Sequence, residues 1–177
     1  MASVDTDQAA PSAAPHRPLR GILAIAAVTI VVDQLTKWWA VSALSDPPRI
    51  IDLFWTLRFN LLYNRGTAFS LTDDSGRFVS AVAVVVVIVL LRSARSTRSG
   101  WTTWSYGLVI GGTVGNIVDR LFREADSFLG GGVVDFVDLQ WFPVFNVADA
   151  ALVIGIGVLL YAGLFTDALE SEGHDTS

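Results

Sequence analysis

From Ala81 to Leu91 the chain carries no polar side chain on any helical face. A helix at the surface of a soluble protein shows a polar stripe. An all-round apolar segment belongs in a large protein core or in a lipid bilayer, and a chain of 177 residues makes one domain, or at most a small pair. Three further apolar stretches accompany it: Leu19 to Leu44, Trp101 to Leu121 and Val147 to Phe165. A membrane span takes about 20 residues at a rise of about 1.5 Å each. The pattern predicts an integral membrane, mainly α protein with four transmembrane helices.

Composition agrees. Apolar residues make up 52% and charged residues only 16%, with a mean hydropathy of +0.51. A net charge of −5 offers no basic field for phosphates, so nucleic acid is not an expected partner. Arg17 to Ala43 has some features of a cleavable signal peptide, but Asp33, Lys37 and two tryptophans would fall in its c-region, which favours an uncleaved first span. Met1 to Pro18 and Asp167 to Ser177 are polar, lack an apolar period and read as disordered tails flanking a membrane domain over 19–166.

Orientation follows from the basic residues. Arg17 and Arg20 precede the first span, and Arg92, Arg95 and Arg98 crowd the short second link, which places both on the cytoplasmic side. The links 45–77 and 122–146 then face outward, and both tails face the cytoplasm. The first outer link itself carries Arg49, Arg58, Arg65 and Arg77, offset by four aspartates.

These outer links have structure of their own. Leu53 to Tyr63 alternates with period two, which predicts one strand with an apolar face, closed by the turn residues Asn64-Arg65-Gly66. Val133 to Leu139 predicts a second strand, with Val133, Asp135, Val137 and Leu139 on one face. A small β-sheet cradle on the outer membrane surface is expected.

Ionisable groups inside or beside spans are costly and mark functional sites by default. Here they are Asp33, Lys37, Asp119, Arg120 and Asp149, with Asp135 nearby. Asp33 and Lys37 are spaced i, i+4 and can pair. Asn116 and Arg120 repeat that spacing, beside a face of small residues at Gly111 and Gly115 that permits close helix approach. Asp119 cannot share a face with Arg120 and must anchor a different neighbour. Asn146 and Asp149 are spaced i, i+3 at the start of the fourth span, where an aspartate also suits the helix dipole. Asp135 is harder to explain, because aspartate is depleted in strands.

Cysteine is absent and the two histidines, His16 and His174, lie in the tails. Thiol and imidazole nucleophile chemistry and most zinc sites are therefore excluded from the body of the chain. Two carboxylates can still share one proton, one serving as base on a water while its protonated partner polarises a carbonyl. Asp135 and Asp149 form the best such pair. A site that binds an ion would use the same residues, and spacing alone does not separate the two.

Five motifs then appear in order: Asp33-Gln34-Leu35-Thr36-Lys37, Asn64 to Phe69, Gly111 to Arg120, Val133 to Phe136 and Phe145 to Asp149. Together they resemble the lipoprotein signal peptidase (signal peptidase II) family over roughly Gly21 to Phe165. The resemblance implies four transmembrane helices with an outer β-cradle. It implies an aspartic endopeptidase of the bacterial cytoplasmic membrane, working at its outer face. Its substrate would be a diacylglyceryl-modified prolipoprotein, cut N-terminal to the lipidated cysteine. It carries the catalytic dyad to Asp135 and Asp149. It places Asn64, Asn116, Arg120 and Asn146 around that dyad, and Asp33 and Lys37 as structural support. It implies no metal and no cofactor, membrane lipid as surroundings, inhibition by globomycin, and a monomer. The stretch from Arg120 to Asp135, with Glu124, Asp126 and a glycine run, has no counterpart in these motifs. A small proton or ion transporter and a non-catalytic assembly factor are the competing classes; a transporter would carry its ionisable groups near the bilayer midplane.

Overall fold

A computed structural model describes residues 17–66, 75–94, 100–123 and 128–174. Residues 1–16 of the expected N-terminal tail lie outside them, as do Thr67 to Phe69 of the second motif, Arg95 and Arg98, and Glu124 and Asp126.

From Gly21 to Val32 the chain is apolar but for Thr29, whose hydroxyl is absorbed by the Ile25 carbonyl, and helix α1 spans Arg17–Leu44. Proline is tolerated in a first helical turn, and Pro47 and Pro48 follow the helix end because proline cannot continue it. Arg49 Nε donates back to the Ala43 carbonyl, covering one of the carbonyls left open there. The other helices are α2 (Ser75–Ser93), α3 (Gly100–Phe122) and α4 (Val147–His174). α4 passes Asp167, where a disordered tail was expected; Ala168, Leu169 and Glu170 are good helix formers and extend it.

Two segments, Pro18–Leu44 and Gly76–Ser93, are long and apolar enough to cross a membrane. Only 22% and 11% of their most apolar windows are buried, so they are not core helices of a soluble protein. Val28, Val31 and Leu35 on α1, Val82, Val85 and Val89 on α2, and Val153, Ile154 and Leu160 on α4 are all exposed. Such a continuous apolar surface is a lipid-facing one. The apolar part of α4, Val147–Gly163, is shorter.

α3 is the central helix, packed between α1 and α4, with α2 against it. Glycine makes this possible. An alanine at Gly111 would bring Cβ within 2.8 Å of the Ala26 carbonyl on α1, and one at Gly112 would run into the Ala148 carbonyl on α4.

The sheet corrects one expectation. Leu53 to Tyr63 is not one strand but a hairpin: β1 (Ile51–Phe54) turns through Trp55-Thr56 into β2 (Leu57–Asn64). Trp55 adopts φ 49° and is 91% exposed. The turn pairs Phe54 with Leu57, and a register shift between Asp52 and Phe54 then brings Asp52 opposite Arg58 and Ile51 opposite Phe59, so the odd positions of both strands share a face and the apolar pattern runs unbroken. Strand β3 (Val133–Asp138) completes an antiparallel sheet in the order β1-β2-β3, with Leu62 opposite Asp135 and Asn64 opposite Val133. Leu139 lies beyond the strand end. Val134 and Phe136 on one face of β3 pack against Ala40 and Leu44 near the end of α1. That packing leaves Asp135 on the opposite face, turned to the start of α4 and the cavity between α3 and α4.

Candidate active site

Lys37 is fully buried, and its ammonium spends all three protons. They go to Asp33 Oδ2 at 2.9 Å, Asp119 Oδ2 at 3.0 Å and Asn116 Oδ1 at 2.9 Å. The expected Asp33–Lys37 pair is present, but as part of a buried cluster rather than an exposed helix-end pair. Asp119, as reasoned from its spacing, faces away from Arg120: it also accepts from the Val134 N–H at 3.0 Å, one residue before Asp135. Asp33 Oδ1 accepts from the Ala148 N–H at 2.9 Å. A carboxylate of α1 thus satisfies an open donor in the first turn of α4, where the dipole favours negative charge. Gly115 leaves room for this, since a Cβ there would stand 2.7 Å from Asp33 Oδ2.

Asn146 and Asp149 form a reciprocal cap on α4. Asn146 Oδ1 accepts from the Asp149 N–H at 2.9 Å, and Asp149 Oδ2 accepts from the Asn146 N–H at 3.1 Å. Capping fixes the orientation of the Asp149 carboxylate without using it up. Its Oδ1 accepts from Asn116 Nδ2 at 2.9 Å. Asn146 Nδ2 meanwhile donates to Asp135 Oδ1 at 2.7 Å, and Asn64 Nδ2 donates to Asp135 Oδ2 at 3.0 Å. Asn146 therefore bridges the two carboxylates. Asn64 is held in turn, its Oδ1 accepting from the Gly66 N–H at 2.9 Å.

Asp135 is 1% exposed. Burial, reinforced by the negative charge of Asp149, raises its pKa from 3.8 to about 6, against the opposing hydrogen bonds from Asn64 and Asn146. Two like carboxylates in one buried site are the arrangement in which one keeps a proton near neutral pH.

Two cavities meet at this point. One of about 270 Å³ lies among α2, α3 and α4 and is lined by Val79, Ser80, Ala83, Asn116, Arg120 and Leu152 together with Asn64, Asp135 and Asp149. The other, of about 600 Å³, is lined by Trp141, Phe142, Pro143, Phe145, Val153 and Ile154, again with Asn64, Asp135 and Asp149. The two carboxylates and Asn64 form the wall common to both. Arg120 is buried at 6% exposure and faces the smaller cavity, its Nη1 reaching the Gly131 carbonyl at 3.5 Å.

Of the nine residues singled out from the sequence, Asp33, Lys37, Asn64, Asn116, Asp119, Asp135, Asn146 and Asp149 gather in one hydrogen-bonded network, and Arg120 stands beside it on the smaller cavity. Four others belong with them. Gln34 Nε2 reaches Gly115 O at 3.1 Å and Asp119 Oδ1 at 3.2 Å, tying α1 to α3. Ser80 is buried, and its hydroxyl lies 3.0 Å from the Leu129 carbonyl. Gly76 gives the Arg120 guanidinium its space, a Cβ there standing 3.0 Å from Nη1. Asp138 accepts from Arg58 Nε at 2.7 Å and from the Gln140 N–H at 2.7 Å, shaping the link that carries the aromatic wall. Burial acts upward on its pKa but is outweighed by Arg58 and the other donors, which hold it below the ordinary value. The signal for Asp138 was present, since strand depletion of aspartate applies to it as to Asp135. Among the described residues, no group of three or more acidic or histidine side chains could hold a metal ion.

A family model described as signal peptidase (SPase) II matches residues 25–165. The lipoprotein signal peptidase of Mycobacterium avium (strain 104) is 36% identical over 165 residues, covering 93% of this chain and 90% of that one. Those of Mycobacterium leprae (strain Br4923) and Rhodococcus jostii (strain RHA1) are 37% and 40% identical, over 85% and 93% of this chain and 75% and 82% of their own lengths. Among solved structures, a bacterial membrane enzyme determined by the in meso method at 1.9 Å resolution shares the fold. It has a TM-score of 0.69 at 24% identity, covering 81% of this chain and 92% of that one.

Proposed function

This chain belongs to the signal peptidase II family, and from that premise we propose that it removes signal peptides from prolipoproteins as an aspartic endopeptidase, with Asp135 and Asp149 as its catalytic pair. The observation that carries this reading is the position of the two carboxylates: bridged by Asn146, they form the shared wall of two cavities. A peptide crossing from one cavity to the other passes its backbone over both.

One carboxylate takes a proton from a water, which attacks the scissile carbonyl. The other, protonated, donates to the carbonyl oxygen as charge develops there. Collapse of the tetrahedral species breaks the C–N bond: the hydroxyl formed from the carbonyl returns its proton to the aspartate that gave it, and the proton gained by the base passes to the departing amine. Asn64, Asn116 and Asn146 hold the carboxylates at fixed angles throughout, since their amides donate without changing protonation. Arg120 stays charged at any working pH and supplies a planar fork for the oxygens of the lipid-modified substrate. Asp33 and Lys37 hold the start of α4, and Asp149 with it.

The bond cut is the one N-terminal to a cysteine already carrying diacylglycerol. All four helices span the bacterial cytoplasmic membrane as a monomer, both tails are cytoplasmic, and the sheet lies at the outer face with the site. The exposed apolar faces of α1, α2 and α4 and the placement of the arginines support this arrangement. A cyclic peptide of the globomycin type fits as an inhibitor that occupies the wall between the cavities. The transporter reading is weaker, because the ionisable residues form one closed network about the start of α4 and the end of α3 rather than a path along the helices. The test is incubation of the purified protein with a diacylglyceryl-modified precursor and with the same precursor unmodified, read by mass spectrometry. Cleavage N-terminal to the lipidated cysteine alone is expected; equal cleavage of both, or of neither, would overturn the substrate assignment.

A further inference from the structure

Arg123 is the first residue past α3, in the stretch between Arg120 and Asp135 that the family motifs leave uncovered. Its backbone N–H donates to the Asp119 carbonyl at 3.0 Å, and its Nε donates to Asp119 Oδ1 at 2.8 Å. The Arg123 side chain is 24% exposed, while that of Asp119 is 1% exposed. The other oxygen of Asp119 holds Lys37 and the Val134 N–H, the latter directly before Asp135. Asp33, Asp119 and Lys37 alone leave this buried cluster with one negative charge in excess. Arg123 cancels it.

We infer that Arg123 is a positioning residue for the Asp135–Asp149 pair, acting through Asp119 to neutralise the charge behind the pair and to keep Asp119 Oδ2 on the Val134 N–H. The inference rests on the reading of those two aspartates as the catalytic pair. Other charged groups also surround the pair: Asp33 and Lys37 from α1, and Asp119 and Arg120 from α3. The Arg58–Asp138 pair is closed on itself at the far end of β3, and Arg65 and Arg77 are exposed at the end of β2 and the start of α2. None of these replaces Arg123 on the Asp119 Oδ1 atom. Loss of its charge leaves the pair facing a net negative cluster, so the pair retains its proton to higher pH. For a partly exposed charge the effect is about half a pH unit.

The test is the pH profile of kcat/KM, from about pH 4.5 to about pH 8, on a synthetic diacylglyceryl lipopeptide. Wild type, Arg123→Gln and Arg123→Lys are compared, with Asp135→Asn and Asp149→Asn alongside. The acid limb of Arg123→Gln should move up by about half a unit while that of Arg123→Lys stays at the wild-type position. An unmoved Gln limb, or a Lys limb that moves as far as the Gln limb, would overturn the inference. So would a Gln variant that fails to fold while the Lys variant is normal, since Arg123 would then be merely structural. If Asp135→Asn still cleaves, it is the reading of the aspartate pair that fails; if both Asn variants are inactive and the Gln limb is unmoved, only the role of Arg123 does.

Discussion

A neutral side chain at position 135 should stabilise the protein at neutral pH while destroying its activity. The Asp135 carboxyl has a pKa of about 6 in place of 3.8, first because it is buried and then because Asp149 is near. A rise of about two units corresponds to about 3 kcal/mol. The sign follows from proton binding. Between the two values the folded state holds a proton that the unfolded state has released, so stability falls as pH rises from about 4 to about 6 and stays low above that. Asparagine removes this penalty but turns one donor toward Asn64 Nδ2, itself a donor, at a cost of about 1 kcal/mol. The net gain for Asp135→Asn above pH 7 is about 2 kcal/mol, or a few degrees in apparent Tm. Fluorescence of the six tryptophans during heating in detergent reads this directly. The gain should vanish near pH 4, where the folded wild type is protonated and the unfolded state nearly half so, which leaves a penalty smaller than the cost of the misplaced amide. An Asn variant no more stable than wild type above pH 7, or equally stabilised at pH 4, would refute the burial of an ionising carboxyl at this position.

Lys37→Met should lower apparent stability by about 3–5 kcal/mol, because Asp33 and Asp119 are left buried without their shared cation. Adding Asp33→Asn should restore part of that loss, as read by thermal unfolding of the two variants. Arg120→Lys should lose most activity in a lipopeptide cleavage assay while the protein stays monodisperse, since lysine keeps the charge but not the planar fork; wild-type activity would show that charge alone suffices. A single cysteine at position 96 of this cysteine-free chain should react with an impermeant maleimide only from the cytoplasmic side, and one at position 141 only from outside. Outward labelling of position 96 would reverse the topology.

The site was legible in the sequence because its residues are expensive where they stand. A carboxylate in a strand, an ammonium one turn from an aspartate within an apolar helix, and an arginine near the end of a span all demand partners, and the structure supplies each from another element. What the residues did not reveal is who pairs with whom. Spacing tied Lys37 to Asp33, yet its bonds to Asp119 and Asn116 cross from α1 to α3 and depend on the closeness that Gly111 and Gly115 allow. Capping and a role in the site looked like competing explanations of Asp149. They are compatible, because one oxygen closes the cap and the other meets Asn116. The hairpin at Trp55-Thr56 was hidden for a different reason. Neither residue is a usual turn former, and the register shift between Asp52 and Phe54 cancels the phase change that a two-residue turn would otherwise print on the alternation. Gln34 escaped notice because a neutral amide beside charged neighbours carries no cost signal of its own.

The central claim is that Asp135 and Asp149 act as one unit on a peptide bond, and cleavage of a diacylglyceryl-modified prolipoprotein by Asp135→Asn, Asp149→Asn and the double variant tests it most directly. Each single variant should be inactive yet folded and monodisperse in detergent, and the double variant should be no worse than either single, because the loss of one partner already disables the pair. Cleavage near the wild-type rate in either single variant would remove that aspartate from the chemistry and contradict the account.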